Sequence, residues 1–149
     1  MIDPTLLSLA ASVAENERQR GRHVTMPARP RTVLIVDGEA PVREVIDDIL
    51  QLHGYATLQA ATGDEAVSLC RGNARPIDLI IADLNIPGPT GHALEDRIVA
   101  TRRGMKVMFM SGYPDELVRR HGLLPGGREF LKKPFSLDEL VGKVREVLE

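Results

Sequence analysis

The sequence predicts an α/β fold: an open, doubly wound parallel sheet of five strands with helices on both faces. Three observations predict it. From Thr32 to the end of the chain, strand-like and helix-like patterns alternate five times. Two strand-like segments, Val33–Val36 and Ile77–Ala82, are almost unbroken apolar runs, as expected of parallel strands covered on both faces. Several intervening segments open on Pro, Asp or Ser and close on Gly, the usual punctuation of short helices.

Residues 1–31 stand apart from this pattern. "DPTLLSLAASVAENERQR" offers Asp3 as an N-cap and Pro4 at the first helical position, with Leu6, Leu9, Ala10, Val13 and Ala14 at helical spacing. "GRHVTMPARPR" then reads as a linker rich in Pro and Arg. The segment is expected to be an arm: either frayed, or a short amphipathic helix that docks on a partner or on a second copy of the chain.

The remaining elements follow in order. Val33–Val36 is a buried strand. Pro41 opens a helix with Val42, Val45, Ile46, Ile49 and Leu50 on one face, and Gly54 ends it. "YATLQA" is a short alternating strand, and "GDEAVSLC" a short helix with Asp64 near its start. "IDLIIA" is the second apolar strand. The loop "NIPGPTG" leads into a helix from about His92 to Arg102. "KVMFM" is a fourth strand, "PDELVRRHG" a helix opened by Pro114, and "REFL" a fifth strand. The last helix starts at Ser136 and turns Leu137, Leu140, Val141, Val144 and Leu148 inward.

Composition excludes several classes. The chain has 149 residues, 43% of them hydrophobic, enough for one domain with a sizeable core. A net charge of −2 gives no reason to expect nucleic-acid binding. No apolar run approaches the ~20 residues of a membrane span, and no signal peptide opens the chain, so a cytoplasmic location is expected. The single cysteine, Cys70, falls among apolar positions and is expected in the core; no internal disulfide can form.

In an open parallel sheet the functional crevice lies beyond the carboxyl ends of the strands. Asp37, Gly38 and Glu39 follow strand one, Asp83 and Asn85 follow strand three, Ser111 follows strand four, and Lys132 and Lys133 follow strand five. Two carboxylates from different strands suit Mg²⁺, a hard cation bound by few protein oxygens. A carboxylate can also be the nucleophile toward a phosphoryl group, and lysine and metal can neutralise the transferring oxygens. Singly, each residue has an ordinary explanation: turn chemistry for the acids, a solvated charge for the lysine. Jointly they suit phosphoryl transfer. A flavin or nucleotide enzyme on the same sheet is the remote alternative. The acids after strand one would repel a phosphate, however, no phosphate-cradling Gly-rich loop follows a strand, and aromatics are few. No G-x-S-x-G elbow exists for a hydrolase.

From about Thr32 to Glu149 the chain resembles the receiver domain of two-component response regulators. The residues that carry the resemblance are "VLIVDGEAPVRE", "IDLIIADLNIPGPTG", "VMFMSGYPDE" and "FLKKPFSLDELVGKVREVL", in the family's order and spacing. The "FMSGY" and "FLKKPF" segments are closest in style to receivers of hybrid histidine kinases. The resemblance implies a flavodoxin-like sheet of order 2-1-3-4-5 and a receiver at 32–149 preceded by the arm at 1–31. It implies Asp83 as phosphoacceptor, taking phosphate from a histidine kinase or a histidine phosphotransfer protein. It further implies Asp37, Asp83 and the backbone carbonyl of Asn85 as Mg²⁺ ligands, Lys133 as the active-site lysine, and Ser111 and Phe130 as the switch pair. The switch would repack the helix 4–strand 5–helix 5 face, where helix 4 is the segment from Pro114. Enzymatic activity beyond self-phosphorylation and slow self-dephosphorylation is not implied. Because the chain begins at Met1 and ends after the last helix, a stand-alone regulator is expected, acting through protein contacts on a downstream protein, with a homodimer as a further candidate and without nucleic acid or membrane.

Gly38 departs from the family, which places a second Mg²⁺-ligating acid there. Two readings stay open: a weakened Mg²⁺ site that still accepts phosphate, or a degenerate receiver that docks partners without phosphorylation.

Overall fold

The computed structural model describes residues 3–9, 29–72, 76–101, 104–113 and 129–149. The strands are β1 (Thr32–Val36), β2 (Ala56–Ala60), β3 (Leu79–Asp83), β4 (Lys106–Ser111) and β5 (Glu129–Lys132). They form one parallel sheet of order β2-β1-β3-β4-β5. The helices are α1 (residues 4–9), α2 (Ala40–Leu52), α3 (Gly63–Gly72), α4 (Gly91–Thr101) and α5 (Leu137–Leu148). The helix expected from Pro114 lies outside the described residues. The doubly wound sheet and its order are those expected.

Alternation along the strands divides the core in two. Val33, Ile35, Ile81, Met108, Met110 and Leu131 pack against α2 and α5. Leu34, Val36, Ile80, Ala82 and Phe109 pack against α3 and α4. β1 and β3 are buried at every position, which is why their sequences carry no polar alternation. α2 begins with Pro at its first turn, and Gly54 follows it at φ 88°, a conformation that glycine adopts without penalty. Ser136 caps α5: its Oγ accepts the Glu139 N–H at 3.2 Å. Cys70 is buried, as expected of a small core residue.

Two features were not legible in the pattern. Asp47, on α2, is buried and accepts hydrogen bonds from Gln51, Thr57 and Gln59, tying α2 to β2. The second is the seat of α1. Asp3 caps it, its Oδ1 accepting the Thr5 N–H at 2.7 Å. Thr5 is buried, and Leu9 is fully buried within the α2–α5 side of the core, with Leu6 packed beside it. Burying one leucine contributes about 1.5–3 kcal/mol, so α1 is held to the domain rather than trailing from it. At the other edge of the sheet, Arg29 meets Asp78 at 3.0 Å, and the same aspartate accepts the Thr32 N–H at 2.8 Å.

The loop after β3 is positioned by close packing. The Gly63 N–H donates to the Pro87 carbonyl at 3.0 Å, and a Cβ on Gly63 would meet the Pro89 carbonyl oxygen at 2.0 Å. Gly63→Ala should therefore force the loop away and cost about 1–3 kcal/mol. Gly142→Ala, at an exposed site on α5 with open space around it, should gain about 0.5–1 kcal/mol. Urea unfolding of the two variants should give opposite signs.

Candidate functional site: an acid–lysine crevice at the carboxyl edge

The topology sets β1 beside β3 and β3 beside β4, so the residues after these strands converge on one edge. Asp37, Asp83, Ser111 and Lys133 are all buried there. Lys133 Nζ lies 2.8 Å from Asp37 Oδ2 and 2.5 Å from Asp83 Oδ2. The other oxygen of each carboxylate closes a turn. Asp37 Oδ1 accepts the Glu39 N–H at 2.9 Å, and Asp83 Oδ1 accepts the Asn85 N–H at 2.8 Å. Both side chains are thus held at two points.

Lys133 is placed by its own backbone, whose N–H donates to the Ser111 carbonyl at 2.8 Å. The Lys133–Pro134 peptide bond is cis. Ser111 Oγ accepts the Tyr113 N–H at 3.0 Å, which leaves its hydroxyl proton for another acceptor. Phe130 pairs in register with Phe109 and is half-buried against the α3–α4 side of the core. Lys132 is exposed, as a surface charge should be.

The electrostatics follow from burial and charge count. Burial pushes the Asp83 carboxyl up, and the Lys133 ammonium, which pulls it down, does not fully offset this; it stays above its ordinary value. Burial disfavours the Lys133 ammonium, but attraction to Asp83 and Asp37 outweighs it and raises the lysine above its ordinary value. Two carboxylates and one ammonium leave one net negative charge in the crevice.

The donor set tests for Mg²⁺ as follows. Asp37 and Asp83 supply carboxylate oxygens from adjacent strands, and the residual charge favours a cation; one or two carboxylates with retained water suit Mg²⁺. Gly38 supplies nothing, and among the described residues no group of three or more acidic, histidine or cysteine side chains is arranged around a metal position. The residues fit Mg²⁺ as a two-carboxylate site, short of a third acid. Gly38 is exposed, and a Cβ there would have its nearest neighbours at 3.9 Å, in Ala61 and Pro87. Its φ is not positive. The glycine is required neither by space nor by backbone.

Sequence reasoning missed three residues at this edge. The Arg43 guanidinium donates to the Asp37 carbonyl at 2.7 Å and to Gln59 Oε1 at 2.9 Å. Thr90 Oγ1 donates to the Leu84 carbonyl at 2.9 Å, steadying the loop after Asp83. Asp3, from α1, lines one hollow with Lys133. Arg43 falls one turn into the helix after β1, a spacing from which it was detectable; Asp3 gave no signal, because its contact is set by tertiary packing.

Lys133→Met should leave two buried carboxylates without a counterion, a loss of about 3–5 kcal/mol. The deficit should depend on pH. Without the ammonium, Asp83 is raised further, and a raised folded-state pKa contributes stability that is present at low pH and lost as pH rises through it. Urea unfolding should therefore find the variant much weaker than the native protein at about pH 8, with the gap narrowing toward about pH 5.

Comparison with known proteins accords with this geometry. The family described as response regulator receiver domain matches residues 33–145. The sensor kinase CckA of Brucella abortus is 35% identical over 120 residues, 79% of this chain and 12% of that protein. The phosphate regulon transcriptional regulatory protein PhoB of Pseudomonas aeruginosa is 33% identical over 120 residues, 79% of this chain and 52% of that protein. The match thus spans about half of one relative and a small part of the other. Among solved structures, the receiver domain of hybrid histidine kinase CckA superposes with a TM-score of 0.67 at 34% identity, covering 79% of this chain and 99% of that one. The chemotaxis response regulator CheY4 of Vibrio cholerae gives 0.68 at 26% identity, covering 80% and 100%. No described helix is long and apolar enough to cross a membrane. With its sheet order, its strand-end acids and lysine, and a family match over residues 33–145, the chain belongs to the response regulator receiver domains of two-component systems.

Proposed function

We propose that this chain accepts a phosphoryl group on Asp83 from a phosphohistidine of a histidine kinase or phosphotransfer protein, and passes the signal on through protein contacts. The observation that carries this reading is the Lys133 ammonium bridging the buried Asp37 and Asp83 carboxylates at 2.8 and 2.5 Å, with Ser111 on the neighbouring strand. In the transfer, an Asp83 oxygen forms the new O–P bond as the P–N bond to the donor imidazole breaks, the nitrogen keeping the electron pair. Lys133 is freed from part of its bond to Asp83 and neutralises a phosphoryl oxygen. Ser111 donates its hydroxyl proton to another oxygen, and Phe130, half-buried in the resting chain, turns inward behind it. The receiver occupies 32–149, with residues 1–31 as an arm. Mg²⁺ would be held by Asp37, Asp83 and the Asn85 carbonyl, and when bound it screens the charge of the phosphoryl oxygens.

The second reading, a receiver that docks partners without phosphorylation, is favoured by Gly38 alone. It predicts no labile phosphate at all.

Mass spectrometry after incubation with acetyl phosphate and Mg²⁺ should find one acid-labile phosphoryl group, absent in Asp83→Asn; a label that survives this substitution, or none in the native protein, removes the phosphoacceptor reading. Gly38→Asp should tighten Mg²⁺ about ten- to a hundredfold in a direct titration, since the added carboxylate gains on the metal what crowding among three acids partly cancels. The same variant should melt lower without the ion and recover with it. Unchanged affinity would mean that the glycine is not a missing ligand.

A further inference from the structure

The start of α1 lies beside Lys133 at the carboxyl edge of the sheet. Asp3, Pro4 and Thr5 form one wall of a hollow of about 200 Å³, and Gly112, Lys133 and Pro134 form the other. Asp3 shares the lining of this hollow with Lys133, and Leu9 anchors the segment in the α2–α5 side of the core, where it is fully buried. Leu7 alone of the segment's leucines is well exposed.

We propose that residues 3–9 are an intramolecular cap over the Asp83 crevice, anchored by Leu9 and latched by Asp3, which phosphoryl transfer to Asp83 displaces. The inference rests on Asp83 as phosphoacceptor for its release step, not for its docking. The release follows from charge. Phosphorylation turns the single charge of the Asp83 carboxylate into the two of an acyl phosphate and takes up the Lys133 ammonium that lines the hollow with Asp3, so the Asp3 carboxyl loses attraction and gains repulsion. At equilibrium the effect is reciprocal: to the extent that the phosphorylated crevice disfavours the cap, the cap disfavours the phosphorylated state by the same free energy. Tether length does not oppose release. Nineteen residues, 10–28, join Leu9 to Arg29, and a chain of that length reaches up to about 65 Å when extended, several times the height of a five-residue strand. Once lifted, the segment presents Leu6 and Leu9 on one side, an apolar face for the downstream partner.

The test compares the full native chain with Leu9→Asp, which ejects the anchor, and Asp3→Ala, which removes the latch and leaves the core intact. Amide hydrogen exchange and acetyl phosphate labelling are followed on each. In the native chain, Thr5–Leu9 should be protected and should lose that protection on phosphorylation. Leu9→Asp should expose Thr5–Leu9, speed exchange at Glu39 and Tyr113, and label Asp83 about tenfold faster, as expected if the crevice is open about a tenth of the time in the native chain. Asp3→Ala should move each readout the same way by less. If Leu9→Asp fails to fold, Asp3→Ala decides. Exchange at Glu39 and Tyr113 and labelling unchanged in the folded variants would overturn the cap. If no form takes the label, the phosphoacceptor reading fails, while exchange at Glu39 and Tyr113 still decides whether the segment covers the crevice.

Discussion

One ammonium holds the functional edge of this domain together. A parallel sheet of order 2-1-3-4-5 brings the ends of β1 and β3 side by side, so the acids that follow them must converge. Two carboxylates buried together repel and lose their hydration, and neither cost is tolerable without a counterion. Lys133 supplies it, reaching both Asp37 and Asp83 from the far side of the sheet after β5. The remaining contacts serve that geometry. The Glu39 and Asn85 amides fix the second oxygen of each acid, and the Ser111 carbonyl fixes the lysine backbone. The crevice is thereby organised without any ligand, the preorganised form that phosphoryl transfer, as proposed, would use at least cost.

Gly38 and α1 both lie at this edge. Position 38 is open and unstrained, so its glycine reflects a missing acid rather than a backbone requirement. Two further acids border the crevice: Glu39, whose N–H bonds Asp37, and Asp3, which lines a hollow with Lys133.

Much of this was legible in sequence. β1 and β3 were found because burial on both faces leaves unbroken apolar runs, and α2 and α5 because their apolar residues recur at helical spacing. Their boundaries moved by a residue or two: the strand read as Ile77–Ala82 runs from Leu79 to Asp83, because Asp78 is drawn out to the Thr32 amide and Arg29. The crevice residues were legible because a parallel sheet delivers strand ends to one edge. The buried Asp47 network was not, since a polar residue on an apolar helix face reads as an exception until its partners on β2 are known. The docking of Leu9 was equally hidden: an amphipathic pattern declares an apolar face without naming the surface that takes it.

The bridging of both acids by Lys133 is most directly tested by heteronuclear NMR of the lysine side-chain ammonium groups in the full chain. Lys133 should give a resolved, slowly exchanging Nζ signal with through-hydrogen-bond correlations to the carboxyl carbons of Asp37 and Asp83, distinct from every exposed lysine. An Nζ signal that exchanges with solvent as fast as that of Lys132 and correlates with neither carboxyl would contradict it, and with it the preorganised crevice on which the functional reading depends.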